Sequence, residues 1–278
     1  MPMVKKDKSN NSKVPFIASA YKEKGFIAPL DIVSKQNADA LRSDFEMAEK
    51  ELSSNPEKLA LLKAYPNRLL PSFDQLTRNK NLIKAASAVL GPDLMVWSAA
   101  LFIKEKMSSK IVSWHQDLTY WRLSDTEETT CWFAVSEASE ASGCMKFVAG
   151  SHKNNILPHN DTYDEGNLLS RGQEIAVDVD EKDATFAALK AGQASMHHGL
   201  IFHSSGPNTT GDRRIGSAIR YIAPSMKQET GDRSLVTLVS GKDRYKNFNV
   251  VDAPRGRLLD EEFELCKRDN ELKKSLLF

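Results

Sequence analysis

The spacing of the hydrophobic residues changes near Pro92, and this change constrains the fold more than any other feature of the chain. Before Pro92, the apolar residues of segment 35–52 are three and four positions apart, as on one face of an amphipathic helix. A second helix is predicted over 79–90, because Gly91-Pro92 is a typical helix stop. After Pro92, the apolar residues of 95–103 alternate with their neighbours, which predicts a long strand. Helices are therefore expected first and strands after them.

Short strand-like segments continue to residue 222, each bounded by turn-forming residues. They cover 110–114, 129–135, 145–149, 174–179, 193–198, 199–205 and 213–222. This order predicts an α+β fold with a sandwich or jelly-roll core, N-terminal helices on one face and a last helix over 259–276. With no visible linker or repeat, residues 14–278 are expected to form one domain after a flexible tail, 1–13. Segment 154–172 is predicted to be a long polar loop at the active site.

Composition and charge restrict the partners. Lysine plus arginine total 38 and aspartate plus glutamate 37, a net charge of +1, which gives no bulk attraction to nucleic acid or an anionic membrane. The three cysteines lack C-x-x-C spacing and are too few for a disulfide framework. No secretory signal and no run of 18 apolar residues is seen. We expect a cytoplasmic protein with a small-molecule partner; its oligomeric state stays open.

The segment Trp114-His115-Gln116-Asp117 carries the main chemical signal. Residues two apart on an extended chain project from the same face, so His115 and Asp117 can bind one metal ion together. An isolated H-x-D is weak evidence, but His203 on a later strand offers a third ligand. Two imidazoles and one carboxylate form the facial triad typical of oxygen-activating ferrous iron. Structural zinc is disfavoured, because no cysteine lies beside the motif.

Arg214, eleven residues after His203, strengthens this interpretation. A turn over 206–211 is expected to return the chain as an antiparallel hairpin, with Arg214 beside His203. A guanidinium there could hold the far carboxylate of 2-oxoglutarate in a bidentate pair, with help from the Ser205 hydroxyl. Arg220 is the competing arginine, but it lies about 20 Å further along the strand, so the two cannot hold one small cofactor together.

These residues and their surroundings resemble the phytanoyl-CoA dioxygenase family of iron- and 2-oxoglutarate-dependent oxygenases over nearly the whole chain. The resemblance is carried by segments 114–117, 142–158 with its Gly150-Ser151-His152 turn, and 197–221. It implies a cupin-like double-stranded β-helix, a jelly roll, with Fe(II) on His115, Asp117 and His203. It also implies that 2-oxoglutarate lies against Arg214, Ser205, Lys104 and Trp132.

The chemistry implied by the resemblance is oxidation of a substrate C–H bond by O2, coupled to decarboxylation of 2-oxoglutarate to succinate. Hydroxylation is the default outcome, although desaturation, epoxidation and ring closure use the same cofactors. Related halogenases replace the carboxylate ligand with a small residue. Because Asp117 is present, halogenation is not expected.

The substrate is expected to be a small polar metabolite, and 2-aminoethylphosphonate is one candidate that the resemblance suggests. Expected contacts are Tyr120, Arg122 and Asn155, although the first could be plain core and the other two a solvated loop face. A phosphonate would need a cation away from Arg214, for which the sequence offers Arg122, Arg68, Lys153 and Arg220. The alternatives are an acyl-CoA or other lipid-like substrate, and a non-catalytic binding protein on the same fold.

Three further histidines carry no assigned chemistry. His197 and His198 are close to His203 in the chain, and alternation cannot decide their facing, because Gly199 can introduce a bulge. His159 is expected to be solvated in its polar loop.

Overall fold

A computed structural model describes residues 13–169 and 171–276 of the chain. The predicted tail, 1–13, lies outside the described residues except for Lys13, which begins the first helix. The seven helices of the described part are α1 Lys13–Lys24, α2 Lys35–Glu51, α3 Pro56–Ala64, α4 Pro66–Leu69, α5 Pro71–Thr77, α6 Lys80–Leu90 and α7 Asp260–Leu276. None of the described helices is long and apolar enough to cross a bilayer.

The predicted helices α2 and α6 form where the hydrophobic spacing placed them. Ser34 caps α2 by accepting a hydrogen bond from the Asn37 backbone N–H. Asn79 caps α6 in the same way, and Gly91, at φ +87°, ends it. The short helices α3, α4 and α5 were not predicted. Each begins with proline, which is pre-organised for a first helical turn, and each is too short to show an amphipathic repeat.

The strands form a large sheet, a small sheet and a separate two-stranded pair. They are β1 Phe26–Asp31, β2 Leu94–Lys104, β3 Val112–His115, β4 Glu128–Ala134, β5 Met145–Val148, β6 His159–Asp161, β7 Gln173–Ile175, β8 Ala184–Ala187, β9 Gln193–His197, β10 His203–Ser205, β11 Arg214–Ile222, β12 Leu235–Ser240 and β13 Asn249–Val250. The large sheet has the order β1-β9-β4-β11-β2-β12-β13, and the small sheet the order β3-β10-β5-β8. Strands β6 and β7 pair separately, within and just after the predicted polar loop.

The central strand β11 separates the helical layer from the site. Its odd-numbered residues Ile215, Ile219 and Tyr221 pack in the main hydrophobic core with residues of the helices. Its even-numbered Arg214, Ala218 and Arg220 line a cavity whose other wall comes from the small sheet. The predicted α+β class with a double-sheet jelly-roll core and flanking helices is confirmed.

The predicted hairpin between His203 and Arg214 is wrong. Strand β10 pairs with β3 and β5 in the small sheet, whereas β11 pairs with β2 and β4 in the large one. The connecting segment crosses from one sheet to the other instead of turning back on itself. The Asn208 amide fixes this crossing by donating to the carbonyls of Lys104, Glu105 and Asp212.

Candidate active site

Strand pairing brings His115 and His203 together. His115 is the last residue of β3, and His203 the first of β10; the two are direct partners in the antiparallel ladder. Their ring centroids are 4.0 Å apart, and both side chains are buried. The H-x-D motif and the distant histidine are therefore joined by the register of two short strands.

Each of the two imidazoles is oriented by a carbonyl two residues earlier. His115 Nδ1 lies 2.9 Å from the oxygen of Ser113, and His203 Nδ1 lies 3.0 Å from the oxygen of Ile201. Because a carbonyl can only accept, Nδ1 carries the proton in both rings. The two Nε2 atoms are then left with lone pairs directed at one point, the arrangement that metal-binding histidines use.

Asp117 completes the cluster from the first residue of a short 3-10 helix, Asp117–Thr119. Its Oδ1 is 3.5 Å from His115 Nε2 and 3.9 Å from His203 Nε2, and the ligand atoms of the three residues lie within 4.8 Å of one another. Burial alone would raise the pKa of Asp117, but the adjacent imidazoles of His115, His197 and His203 and the charge of Arg220 outweigh it and hold the pKa well below its ordinary value. This set can hold a divalent cation with open coordination positions.

A second group consists of two basic residues, Lys104 and Arg214, at one end of the cavity. Lys104 and Arg214 are partners on β2 and β11, and both are almost fully buried. Lys104 Nζ donates to Ser205 Oγ at 2.6 Å and to the backbone carbonyls of Ser205 and Gly206. Burial, followed by the charge of Arg214, lowers the pKa of Lys104 to about 6.

Arg214 has few partners of its own. Its Nη1 donates to the Gly143 carbonyl at 2.9 Å, its Cζ is 5.1 Å from the ring centroid of Trp132, and its buried Nε has no partner. Burial lowers the pKa of Arg214 to about 10. Within the described ranges, no carboxylate pairs with Arg214 or Lys104. A buried guanidinium and a buried lysine without a counter-ion leave this end of the cavity suited to an anionic ligand.

The structure thus brings seven predicted residues together. The predicted metal-binding set His115, Asp117 and His203 lines one cavity with Trp132, Ser205 and Arg214, and Lys104, which lies outside the lining, donates to Ser205 Oγ. His115, His203 and Ser205 lie on strands β3 and β10 of the small sheet, whereas Lys104, Trp132 and Arg214 lie on strands β2, β4 and β11 of the large sheet. His197 and Thr130 also line this cavity, and neither was assigned a role from the sequence. Thr130 Oγ1 lies 3.4 Å from Asp117 Oδ2.

The predicted substrate contacts are dispersed. Tyr120 lines a second, adjoining cavity that shares His115, Asp117 and Arg220 with the first. Arg122 is exposed, with φ +47°, and lines neither cavity. Asn155 is exposed as well; its backbone carbonyl accepts a hydrogen bond from the Gln116 side chain.

Gln116, which lies between His115 and Asp117, connects the polar loop 154–172 to the site through hydrogen bonds. It is fully buried; its amide donates to the Leu200 carbonyl, and its Oε1 accepts from the Leu157 N–H. Its backbone N–H donates to His159 Nε2 at 3.0 Å. The expectation that His159 is solvated is therefore wrong: the ring is half-buried and accepts a backbone hydrogen bond beside the metal-binding set.

The chain matches a family model described as phytanoyl-CoA dioxygenase (PhyH) over residues 21–216. The peroxisomal phytanoyl-CoA dioxygenase of Bos taurus is 25% identical, over 87% of this chain and 81% of that protein. The protein of Stutzerimonas stutzeri named "Probable alpha-ketoglutarate-dependent hypophosphite dioxygenase" is 27% identical, over 67% of this chain. That alignment spans 65% of the bacterial protein.

Solved structures give the same result for the fold. The apo form of the non-heme monooxygenase ThoJ superposes with a TM-score of 0.85 at 28% identity, covering 94% of this chain and 97% of ThoJ. CytC3 with Fe(II) and alpha-ketoglutarate superposes with a TM-score of 0.63 over 88% of this chain and 96% of CytC3. At 16% identity, the second likeness concerns the fold alone.

Proposed function

Because this chain belongs to the phytanoyl-CoA dioxygenase family and is an Fe(II)- and 2-oxoglutarate-dependent oxygenase, we propose that it hydroxylates a C–H bond of a small polar metabolite. His115, Asp117 and His203 hold the iron in this proposal. When bound, iron and 2-oxoglutarate supply the oxidation, as O2 is reduced and 2-oxoglutarate is decarboxylated to succinate. The protein's own residues orient these groups and exclude water.

The observation that carries the proposal is the pair of buried basic side chains, Arg214 and Lys104, without a carboxylate partner in the described ranges, beside a two-histidine, one-carboxylate cluster. Arg214 offers the forked donors that suit a carboxylate, and Lys104 adds a second charge when the bound anion favours its protonated form. Ser205 Oγ and the Trp132 ring form the adjacent walls. The far carboxylate of 2-oxoglutarate would neutralise this end, while its oxoacid end reaches the iron.

For the substrate we favour a small anion-bearing molecule, with 2-aminoethylphosphonate as the first compound to test. The likeness to a protein named for hypophosphite, a compact phosphorus oxyanion, supports this choice. Tyr120, on the adjoining cavity, is the best supported of the three expected substrate contacts, and Arg122 and Asn155 would need to move to reach a ligand. The metal-binding set and its arginine are intact, which disfavours a non-catalytic binding protein.

An acyl-CoA or other lipid-like substrate is the second candidate. It is supported by the alignment with the bovine phytanoyl-CoA dioxygenase, which extends over 87% of the chain. The two candidates differ in which probe binds the iron- and 2-oxoglutarate-loaded protein: a small phosphonate in the first case, an acyl thioester in the second.

We further infer that residues 14–278 form a single oxygenase domain that acts in a reducing compartment, the cytoplasm. One hydrophobic cluster runs from Ile17 of α1 to Cys266 of α7, so both ends of the described chain share a core. Cys131, Cys144 and Cys266 are all buried and unpaired.

The test is anaerobic titration of the Fe(II)-loaded protein with 2-oxoglutarate, followed by its metal-to-ligand absorption band. The wild type should develop the band, and Asp117→Ala and Arg214→Ala should each weaken it. Arg213→Ala is the matched control, because Arg213 faces outward and pairs with Glu49 and Glu105. A folded, iron-loaded wild type without a band would refute the proposal, as would an equal loss in Arg213→Ala.

A further inference from the structure

We propose that Arg220, stacked on the indole of Trp121, binds an anionic group of the substrate on the side of the metal-binding set away from Arg214. This inference rests on the proposed function and assigns the substrate class and one specificity residue. The anionic group is a phosphonate, sulfonate or carboxylate carried by a small molecule.

Arg220 is an arginine with unused donors. Its Cζ lies 4.8 Å from the ring centroid of Trp121, and its Nη1 makes a long hydrogen bond of 3.3 Å to Ser98 Oγ. Its buried Nε has no partner, and over the described ranges its guanidinium enters no ion pair. A stacked guanidinium is held in a fixed plane, so its remaining N–H groups are pre-oriented for a forked contact with an oxyanion.

Arg220 lies where the two cavities meet. Arg220 lines both the cavity between the two sheets and the larger, adjoining cavity that Tyr120 also lines, and so do His115 and Asp117. Arg220 is paired with Thr130 across β4 and β11, and Thr130 Oγ1 reaches Asp117. A molecule entering through the larger cavity would therefore meet Arg220 and the metal-binding set together.

The other cations considered for this role are paired or point elsewhere. Arg68 forms a buried bidentate pair with Glu262. Lys63, which also lines the larger cavity, pairs with Glu49. Arg122 and Lys153 are exposed and line neither cavity. Among the described residues that line the larger cavity, Arg220 is thus the cation with unused donors.

Arg214 and Arg220 serve two different anions. They lie on the same face of β11, six residues and about 20 Å apart along the strand. Between them the inner face carries Ala218 and Gly216, and the Trp132 ring fills the space above Gly216. One 2-oxoglutarate cannot reach both arginines, so Arg220 remains available after the co-substrate has bound at Arg214.

The competing explanation is that Arg220 only offsets the negative charge of nearby buried carboxylates. Its positive charge acts to lower the pKa of both Asp117 and Glu128. A balancing role and a substrate-binding role differ in what the loss of Arg220 would change. Balancing predicts weaker iron or 2-oxoglutarate binding. Substrate binding predicts a selective loss of affinity for anions.

The experiment is anaerobic calorimetry on the Fe(II)- and 2-oxoglutarate-loaded protein with four probes that share a 2-aminoethyl group. Three carry an anion, namely 2-aminoethylphosphonate, 2-aminoethylsulfonate and β-alanine, and ethanolamine carries none. We expect at least one of the three anions to bind the wild type more tightly than ethanolamine. Arg220→Met should raise the dissociation constant of that anion about ten- to hundredfold, and Arg220→Lys should lie between the two.

The controls separate this inference from the proposed function. Titrations of iron and 2-oxoglutarate should give the same affinities in Arg220→Met as in the wild type, and Arg213→Met, at an arginine that pairs with Glu49 and Glu105 outside the site, should bind the anion unchanged. The inference is overturned if no anion binds, if Arg220→Met binds it equally well, or if Arg213→Met loses it. Weaker iron or 2-oxoglutarate binding in a folded Arg220→Met would assign Arg220 to the metal centre instead. Failure of the wild type to bind 2-oxoglutarate would refute the proposed function.

Discussion

Gly216 lies directly beneath the indole of Trp132: a Cβ added at Gly216 would come within 1.9 Å of Trp132 Cζ2. The ring occupies the space that a side chain on β11 would fill, and this lets it form the wall beside Arg214. We therefore expect Gly216→Ala to displace Trp132 and weaken 2-oxoglutarate binding. Overpacking of this kind costs about 1–3 kcal/mol of unfolding free energy. Thermal unfolding and the anaerobic titration measure the two effects.

The control for this substitution is Gly211→Ala, since a Cβ at Gly211 has no atom within 4 Å and its φ is not in the left-handed region. Gly211→Ala should leave both the melting temperature and the 2-oxoglutarate affinity close to those of the wild type. Unchanged 2-oxoglutarate binding in Gly216→Ala would show that the Trp132 ring is not a wall of that site.

The lowered pKa of Lys104 predicts that 2-oxoglutarate affinity falls as pH rises. Burial and the charge of Arg214 lower this pKa to about 6 in the free protein, opposed by Cys144 and assisted by Lys146. An anionic ligand favours the protonated amine, so binding above pH 6 takes up a proton. In iron-saturated protein, we expect the dissociation constant to rise by up to about tenfold per pH unit from pH about 6 to about 8.

The lowered pKa of Lys104 also affects the unfolding free energy, which should rise with pH, whereas the 2-oxoglutarate affinity should fall. Between pH about 6 and the ordinary value of 10.5, the unfolded chain holds a proton on Lys104 that the folded chain does not. The Lys104 contribution to the unfolding free energy of the apo-protein therefore rises with pH across this window. Lys104→Met should flatten the pH dependence of both 2-oxoglutarate binding and stability. Identical slopes in the variant and the wild type would contradict the assignment.

The elements that could be predicted from the sequence are those with a local pattern of hydrophobic residues. Helices α2 and α6 and strands β2, β4 and β11 have clear periods, and the structure forms them within one or two residues of the predicted bounds. The family resemblance and the motif spacing selected the metal-binding set and its arginine. These residues are near one another in the fold because His115, His203 and Arg214 lie on strands whose facing follows from alternation, and Asp117 follows β3 at the start of a short 3-10 helix.

The prediction failed where contacts depend on which strands pair. Nothing in the segment from His203 to Arg214 reveals that its two ends lie in opposite sheets, because a turn and a crossing have the same composition. His159 has the polar neighbours of a solvated loop, yet it is half-buried because the loop folds back onto Gln116. The sequence does not distinguish Arg220 from other cations as a substrate-binding residue, because the partners of Arg68 and Lys63 depend on the tertiary fold.

Replacement of His203 should abolish stable iron binding, whereas replacement of His198 should not. His203 contributes one of the three converging ligand atoms. His198 lies outside the cavity, and its Nδ1 accepts a hydrogen bond from the Leu200 N–H. We expect His203→Ala to lose more iron affinity than the about 10- to 100-fold that follows loss of an outer hydrogen bond to a ligand. Iron content after anaerobic dialysis tests this, and equal content in both variants would exclude His203 as a ligand.

Gln116 is expected to hold the polar loop 154–172 in place over the site. Its loss should affect this loop more than it affects iron binding. Its side chain bonds the carbonyls of Leu200 and Asn155 and the N–H of Leu157, all within the protein interior or at its edge. Gln116→Ala leaves these groups without partners, at a cost of about 1–3 kcal/mol of unfolding free energy. Because the metal-binding side chains keep their own carbonyl and strand contacts, iron content should persist while amide hydrogen exchange over 155–159 becomes faster. Gln75→Ala, at an exposed position of α5, should change neither property. Loss of iron without faster exchange would mean instead that Gln116 acts by holding Asp117 in place.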